Sequence, residues 1–214
     1  MAGNSGRPLR PLSCGVIASE EGNDVPGGAL GLGSVGSGRS MFAIAEELPR
    51  GEGHPGVEKA YLDITGGAPE LNDGFRRLVE GATALRESQK RELTIIDRCN
   101  LTVLLEPGQE TLPNFLAEHK VHVIASLPSY EAEQTDKQRG RKVFERSVQG
   151  LRILNQHGYG EGIGLHLDLV FNPPGPFLPP QQCKLQKQYK KELGDAYGIK
   201  FDRGLGLVRW FEDV

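Results

Sequence analysis

Short apolar runs alternate with amphipathic stretches along the chain from residue 57 onward. The spacing of apolar residues predicts one helix from about Asn72, a short one near LPNFLAEHK, and longer ones over KVFERSVQGLRILNQHG and QQCKLQKQYKKELGDAYG. Strands and helices are therefore predicted to alternate. The five predicted strands are AYLDI (60–64), LTII (93–96), VHVIAS (121–126), LHLDLVF (165–171) and GIKF (198–201).

The spacing of these strands is typical of βαβ units, because most intervals between them are about 30 residues. Such alternation predicts a parallel sheet with right-handed crossovers, either doubly wound or curved towards a barrel. Five strands are too few for a closed eight-stranded barrel. We therefore predict an α/β fold with mainly parallel strands, arranged as an open sheet or a partial barrel.

Residues 1–56 have a different composition, with nearly half of the chain's 29 glycines and little apolar periodicity. A segment of this kind buries too little surface to offset its conformational entropy, so we predict that it is mostly disordered. It contains GLGSVG (31–36), which matches the dinucleotide-binding fingerprint. That fingerprint requires a strand before it and a helix after it, and no strand is predicted there. We interpret the match as chance, which disfavours a nicotinamide dehydrogenase.

Composition narrows the classes of protein further. The chain of 214 residues is 37% hydrophobic, and its mean hydropathy of −0.39, without a long apolar run, predicts no membrane span. A net charge of −3 gives no general attraction to nucleic acid, and the basic run KLQKQYKK is interpreted as a solvated helix face. Three scattered cysteines suit a reducing compartment, so we predict a cytoplasmic protein. Acidic residues near position 20 disfavour an organelle transit peptide.

Candidate binding residues follow the predicted strands, because ligands of parallel α/β sheets collect at the carboxyl ends of the strands. The segments at these ends are TGGAPE, DRCN, SLPSY and NPPGP. Paired glycines leave backbone carbonyls accessible to a ligand's ammonium or hydroxyl groups, and the second segment combines a carboxylate, a guanidinium and an amide. The predicted cofactor-binding residues are Thr65, Gly66, Gly67, Glu70, Asp97, Arg98, Asn100, Ser126 and Asn172.

Each of these segments also has a purely structural interpretation. The two glycines fit a tight turn, Asp97 and Arg98 fit an ion pair that closes a loop, and Asn172 fits an Asx turn. Four such segments at one edge of a sheet favour a binding site over four unrelated turns.

Histidines are weaker candidates. His119 and His122 are predicted to lie on different elements, and no third donor stands at usable spacing, so no metal site is predicted there. His166 and Asp168 alternate with leucines on a predicted buried strand and are minor candidates for side chains that point into a barrel.

A family resemblance covers residues from about 57 to 203. The segments YLDITGGAPELN, IDRCNLTVLLEPG, ASLPSY, DKQRG, VFERSVQGLRILNQHGYG, LVFNPPGPFLPPQ and YKKELGDAYGIKFDR resemble the arsenosugar biosynthesis radical SAM proteins, in the same order and spacing. The resemblance implies an incomplete (β/α)₆ partial barrel, similar to a TIM barrel, that binds S-adenosylmethionine. It also implies a [4Fe-4S] cluster that cleaves the cofactor to an adenosyl radical, and a methylated arsenic species as small-molecule substrate. In this comparison TGGAPE resembles the glycine motif that receives the methionine ammonium group.

The chain departs from that family at both ends. A radical SAM cluster needs three cysteine thiolates in a Cys-x-x-x-Cys-x-x-Cys loop after the first strand, and neither the loop nor the first strand is recognised here. Ser129 replaces the cysteine of the family's SLPCY segment, and residues 204–214 replace a cysteine-rich module. We therefore predict a truncated or divergent member with no radical activity of its own. The alternative is a half-barrel that binds S-adenosylmethionine or a nucleotide without reaction.

Overall fold

The computed structural model describes residues 14–22, 29–34, 57–89, 92–171 and 182–206. One seven-stranded sheet runs through these residues in the order β2-β1-β3-β4-β5-β6-β7. Its strands are β1 (Cys14–Gly22), β2 (Ala29–Ser34), β3 (Val57–Gly66), β4 (Glu92–Asp97), β5 (His122–Ser126), β6 (Leu167–Phe171) and β7 (Arg203–Gly206). The α-helices are α1 (Phe75–Gln89), α2 (Leu112–Glu118), α3 (Ala132–Arg139), α4 (Val143–Gln156) and α5 (Gln182–Tyr197). Short 3₁₀ helices span Pro69–Leu71 and Leu101–Leu105.

Strands β3 to β7 are parallel and adjacent in chain order. A doubly wound sheet reverses its strand order at a switch point, whereas these five strands follow one another without reversal. Parallel connections are right-handed, so sequential order brings the connecting helices to one face of the sheet. The α/β prediction is confirmed, and the arrangement is compatible with a partial barrel.

Strands β1 and β2 were not predicted. Strand β1 pairs antiparallel with β3, from Cys14 opposite Gly66 to Gly22 opposite Val57, and β2 pairs antiparallel with β1. The prediction of disorder over residues 1–56 is therefore wrong for these two strands, and the rest of that segment lies outside the described residues. Gly31 and Gly33 of GLGSVG lie within β2, where antiparallel pairing differs from the strand-to-helix turn of a dinucleotide site.

Several predicted boundaries move by a few residues. Helix α1 begins at Phe75 instead of Asn72, because the Asn72 side chain accepts a hydrogen bond from the Gly74 backbone at 2.9 Å and holds a turn there. The last strand was placed at 198–201 but forms at Arg203–Gly206, and so crosses from the predicted core domain (57–203) into the predicted tail (204–214). Helix α4 ends as expected, with Gly158 at φ +93° just beyond it.

The two faces of the parallel sheet differ in chemistry. Paired residues of parallel strands point to the same face, and successive residues alternate. One face, called the core face here, packs against the helices. Its apolar side chains form a buried layer together with Phe75, Leu78 and Leu116 of the helices. The opposite face, called the polar face, has charged residues beside Ile124 and Val170. The strand residues on the core face include Leu62, Ile64, Ile95, Asp97, Val123, Ala125, Leu167, Leu169 and Phe171.

Helix α4 packs closely on the 3₁₀ helix that follows β4. A Cβ atom added at Gly150 would lie 2.5 Å from the Leu101 carbonyl oxygen, so only glycine allows this approach. The contact fixes the segment after β4, which contains part of the candidate site.

No helix in the described part of the chain is both long enough and apolar enough to cross a membrane.

Candidate functional site

The loop after β3 exposes its two glycines at the carboxyl edge of the sheet. Gly66 and Gly67 are exposed, Thr65 is half-buried, and the chain then enters the 3₁₀ helix at Pro69. The Gly67 carbonyl accepts a hydrogen bond from the Asn100 side-chain amide at 3.1 Å. The expectation that this loop leaves its carbonyls for a ligand therefore needs correction at Gly67, whose carbonyl already has a protein partner.

Asn100 joins the loops that follow β3 and β4. Its backbone N–H donates to Glu70 Oε1 at 2.8 Å, and its side-chain oxygen accepts from the backbone and hydroxyl of Thr102 at 3.3 and 3.0 Å. It thereby caps the 3₁₀ helix Leu101–Leu105. Its geometry is that of a residue that positions the two loops.

The DRCN segment divides between the two faces of the sheet. The Arg98 backbone N–H donates to the Ile64 carbonyl and that of Cys99 to the Ile124 carbonyl, so strand-like alternation continues beyond Asp97. Asp97 and Cys99 point to the core face, and Arg98 points to the polar face. The suggested ion pair between Asp97 and Arg98 does not form; the guanidinium of Arg98 instead makes a two-point contact with Asp63, with Nε to Oδ1 at 2.7 Å.

Glu70, Asp97 and Cys99 form a buried carboxylate–thiol cluster. One donor atom of each lies within 4.8 Å of the other two. The exposed fractions are 5%, 0% and 2% respectively. Among the described residues, Glu70 Oε2 and both carboxylate oxygens of Asp97 have no hydrogen-bond partner. A buried, charged carboxylate without partners has a high desolvation free energy. Unlike a surface carboxylate, it must therefore carry a proton or bind a cation.

Burial dominates the acid–base behaviour of this cluster. It raises the pKa of Glu70 to about 6, against weaker opposing hydrogen bonds, including those from Cys99 and Asn100. It raises the pKa of Asp97 well above the usual range, with further increases from the charges of Glu70 and Asp63. The pKa of the Cys99 thiol is also raised, first by burial and then by the two nearby carboxylates. Without a cation, burial therefore favours the protonated forms of Asp97 and Cys99.

A second group of titratable residues lies on the polar face. Asp168 accepts from His122 Nε2 at 2.9 Å, from the Arg203 backbone at 3.0 Å and from Arg203 Nη2 at 2.8 Å. Burial alone would raise the pKa of Asp168, but hydrogen bonds and charges from His122 and Arg203 outweigh it and lower the pKa. The ring of His166 lies 5.5 Å from that of His122. His166 and Asp168, the minor candidates from the sequence, therefore lie beside His122 and Arg203, which the sequence pattern did not link to them.

The remaining predicted residues do not converge with these groups. Ser126 is exposed at the end of β5, on the polar face. Asn172 lies outside the described residues. His119 and His122 lie at the end of α2 and in β5, as predicted. The predicted set is thus divided between the glycine loop, the carboxylate–thiol cluster and the polar face.

Sequence reasoning missed Asp63, Cys99 and Arg203. Asp63 was treated only as part of a predicted strand, and Cys99 only as one of three scattered cysteines. The strand that contains Arg203 was placed too early in the chain. The available signal was period-two alternation along the DRCN segment, since it places Asp97 and Cys99 on one face and Arg98 on the other.

No protein-family model, curated protein or solved structure matches the chain. The resemblance to radical SAM proteins therefore depends on the sequence segments alone.

Proposed function

We propose that the chain is a divergent radical SAM-type half-barrel that binds S-adenosylmethionine or a related nucleoside at the carboxyl edge of its parallel sheet. The observation that supports this best is the exposed Gly66–Gly67 loop at the end of the first parallel strand. It is the segment in which the sequence resembles the glycine motif of the family. The sequential order of β3 to β7 is compatible with the partial barrel that this motif serves.

The neighbouring residues supply complementary chemistry for such a ligand. At the same edge, exposed Ser126 presents a hydroxyl, and Arg98, paired with Asp63, makes the polar face less negative. A zwitterionic amino-acid group needs acceptors for its ammonium and donors for its carboxylate. In this proposal the glycine loop receives the ammonium, and Ser126 donates to the carboxylate or to a ribose hydroxyl.

A [4Fe-4S] cluster does not fit the cysteines of this chain. Such a cluster needs thiolates that converge in one loop, whereas Cys99 is buried with a raised thiol pKa and Cys183 is exposed at the start of α5. Cys14 is far from both in sequence, so no Cys-x-x-x-Cys-x-x-Cys motif forms. The proposal is accordingly limited to binding, and adenosyl transfer to methylated arsenic is assigned to the family that the sequence resembles.

Calorimetric titration of the chain with S-adenosylmethionine, S-adenosylhomocysteine and adenosine tests this proposal. We expect saturable binding, and at least about tenfold weaker affinity in Gly67→Val, because a branched side chain would occupy the space left for the ligand. Ser88→Ala is the matched control, since this exposed serine on α1 lies far along the chain from the loop. Absence of saturable binding, or equal affinity in Gly67→Val, would contradict the proposal.

A further inference from the structure

The carboxylate–thiol cluster has the composition of a metal site. Glu70 lies in the 3₁₀ helix after β3, Asp97 ends β4 and Cys99 follows it, and their donor atoms converge within 4.8 Å. Bonds of about 2.0–2.3 Å in a tetrahedral zinc site place ligand atoms about 3.5 Å apart, so modest side-chain rotation would close the shell. Glu70 comes from one segment, and Asp97 and Cys99 come from another.

The unpartnered oxygens are the second observation. Asp97 is fully buried, and neither of its carboxylate oxygens has a partner among the described residues, nor has Oε2 of Glu70. Buried carboxylates are normally paired with a cation or hydrogen-bonded. By contrast, Oε1 of Glu70 is held by the Asn100 backbone at 2.8 Å, which orients the carboxylate and leaves its other oxygen directed elsewhere.

We infer that Glu70, Asp97 and Cys99 bind one divalent ion of the zinc type, with one thiolate ligand, two carboxylate ligands and a fourth position for water. A thiolate selects zinc-like ions over magnesium or calcium, which prefer shells made only of oxygen. Binding releases the thiol proton and the carboxyl proton of Asp97 to solvent, because each ligand coordinates in its deprotonated form. The residues that flank Glu70, Gly66 and Gly67 before it and Leu71 after it, are exposed to solvent.

This ion is separate from the ligand of the proposed function. Asp97 and Cys99 lie on the core face, and Glu70 is buried next to them. The proposed nucleoside site lies on the exposed edge and the polar face. Failure of S-adenosylmethionine to bind would leave the metal site unaffected, and failure of metal binding would leave the nucleoside site unaffected.

Titration of the chelator-treated, reduced full chain with Co²⁺ tests the inference. We expect one equivalent to bind with a sulfur-to-cobalt charge-transfer band in the near ultraviolet. This band should disappear in Cys99→Ser and persist in Cys183→Ser, since Cys183 is the exposed cysteine and serves as matched control. A wild-type chain without the band, a band that persists in Cys99→Ser, or one that disappears in Cys183→Ser would overturn the inference.

A second measurement avoids dependence on the folding of variants. X-ray absorption of the wild-type chain loaded with Zn²⁺ should show one sulfur and otherwise oxygen ligands. A shell without sulfur would overturn the site, and so would a shell with nitrogen ligands from histidine. Asp97→Asn should bind Zn²⁺ at least about tenfold more weakly than the wild type, as expected for loss of a metal ligand; equal affinity would contradict the assignment of Asp97.

Discussion

Asp97 and Asp168 are both completely buried, yet their surroundings drive their pKa values in opposite directions. Asp97 has no hydrogen-bond partner among the described residues and lies beside another carboxyl group. Asp168 accepts hydrogen bonds from His122 and twice from the side chain of Arg203. Burial costs the charged form the same kind of desolvation in both places. The difference shows that hydrogen-bonding and charged partners can reverse the effect of burial on the pKa of a carboxyl group.

The largest expected effect is at Asp168. Asp168→Asn removes the negative charge that both His122 and Arg203 contact, and leaves the largely buried His122 ring poorly satisfied. We expect a loss of about 2–3 kcal/mol in the free energy of unfolding, less than for a wholly buried ion pair because the Arg203 side chain is exposed. Urea denaturation at pH 7 measures it, and a loss below about 0.5 kcal/mol would show that this pairing contributes little.

The pH dependence of stability gives the next largest effect. The pKa of Glu70 is raised from 4.5 to about 6, so the folded state binds its proton more tightly than the unfolded state. Its contribution is therefore favourable below pH 4.5 and is lost as pH rises towards 6, by about 2 kcal/mol. Asp168 acts in the opposite direction, because its lowered pKa makes stability fall as pH drops below 4.

Denaturation curves of the metal-free protein between pH 4.5 and 7 should show the contribution of Glu70, because that of Asp168 changes only below pH 4. In Glu70→Gln, the decrease in stability between pH 4.5 and 6 should be smaller than in the wild type, because glutamine does not titrate there. Glu118→Gln is the control, since Glu118 is exposed on α2 and accepts a hydrogen bond from the Asn114 side chain at 2.8 Å. Parallel pH profiles for wild type and Glu70→Gln would contradict the assigned shift.

A smaller effect is expected at the Arg98–Asp63 contact on the polar face. Both side chains are largely buried, at 16% and 8% exposure, and the guanidinium makes two hydrogen bonds to the carboxylate. Arg98→Lys keeps the charge but loses the two-point geometry, so we expect about 1–2 kcal/mol of destabilisation. Thermal unfolding measures it, with Arg152→Lys on α4 as an exposed comparison that loses one hydrogen bond to the Tyr197 carbonyl. Equal effects of the two substitutions would indicate that the paired geometry has no special value.

The smallest effect is expected at Asp97 in the absence of metal. Because burial favours the neutral form of the Asp97 carboxyl group, which is unpartnered among the described residues, Asp97→Asn should change stability by less than about 1 kcal/mol. The free energy of unfolding of Asp97→Asn, measured in the presence of chelator alongside that of Asp168→Asn, completes the comparison of the two carboxylates. A loss as large as that of Asp168→Asn would show that Asp97 is ionised and paired in the folded protein.

The sequence was sufficient for most of the architecture. Strands β3 to β6 and the long helices follow from hydrophobic periodicity, because each of these segments must bury one apolar stripe or layer wherever it packs. Strands β1 and β2 were missed since glycine-rich segments have low β propensity, and their pairing depends on an edge supplied by β3. The position of β7 was missed because this strand depends on its pairing with β6, where Asp168 accepts hydrogen bonds from Arg203.

For the site, the sequence by itself determined which residues stand at the carboxyl edge, since strand ends and loop composition are local properties. It placed Gly66, Gly67 and Arg98 there. Only the tertiary structure decided which of them meet: Glu70 with Asp97 and Cys99 on one face, and Arg98 with Asp63 on the other. The reason is physical, because contact and burial depend on strand register and on the face to which each side chain points, and these are fixed when the strands pair.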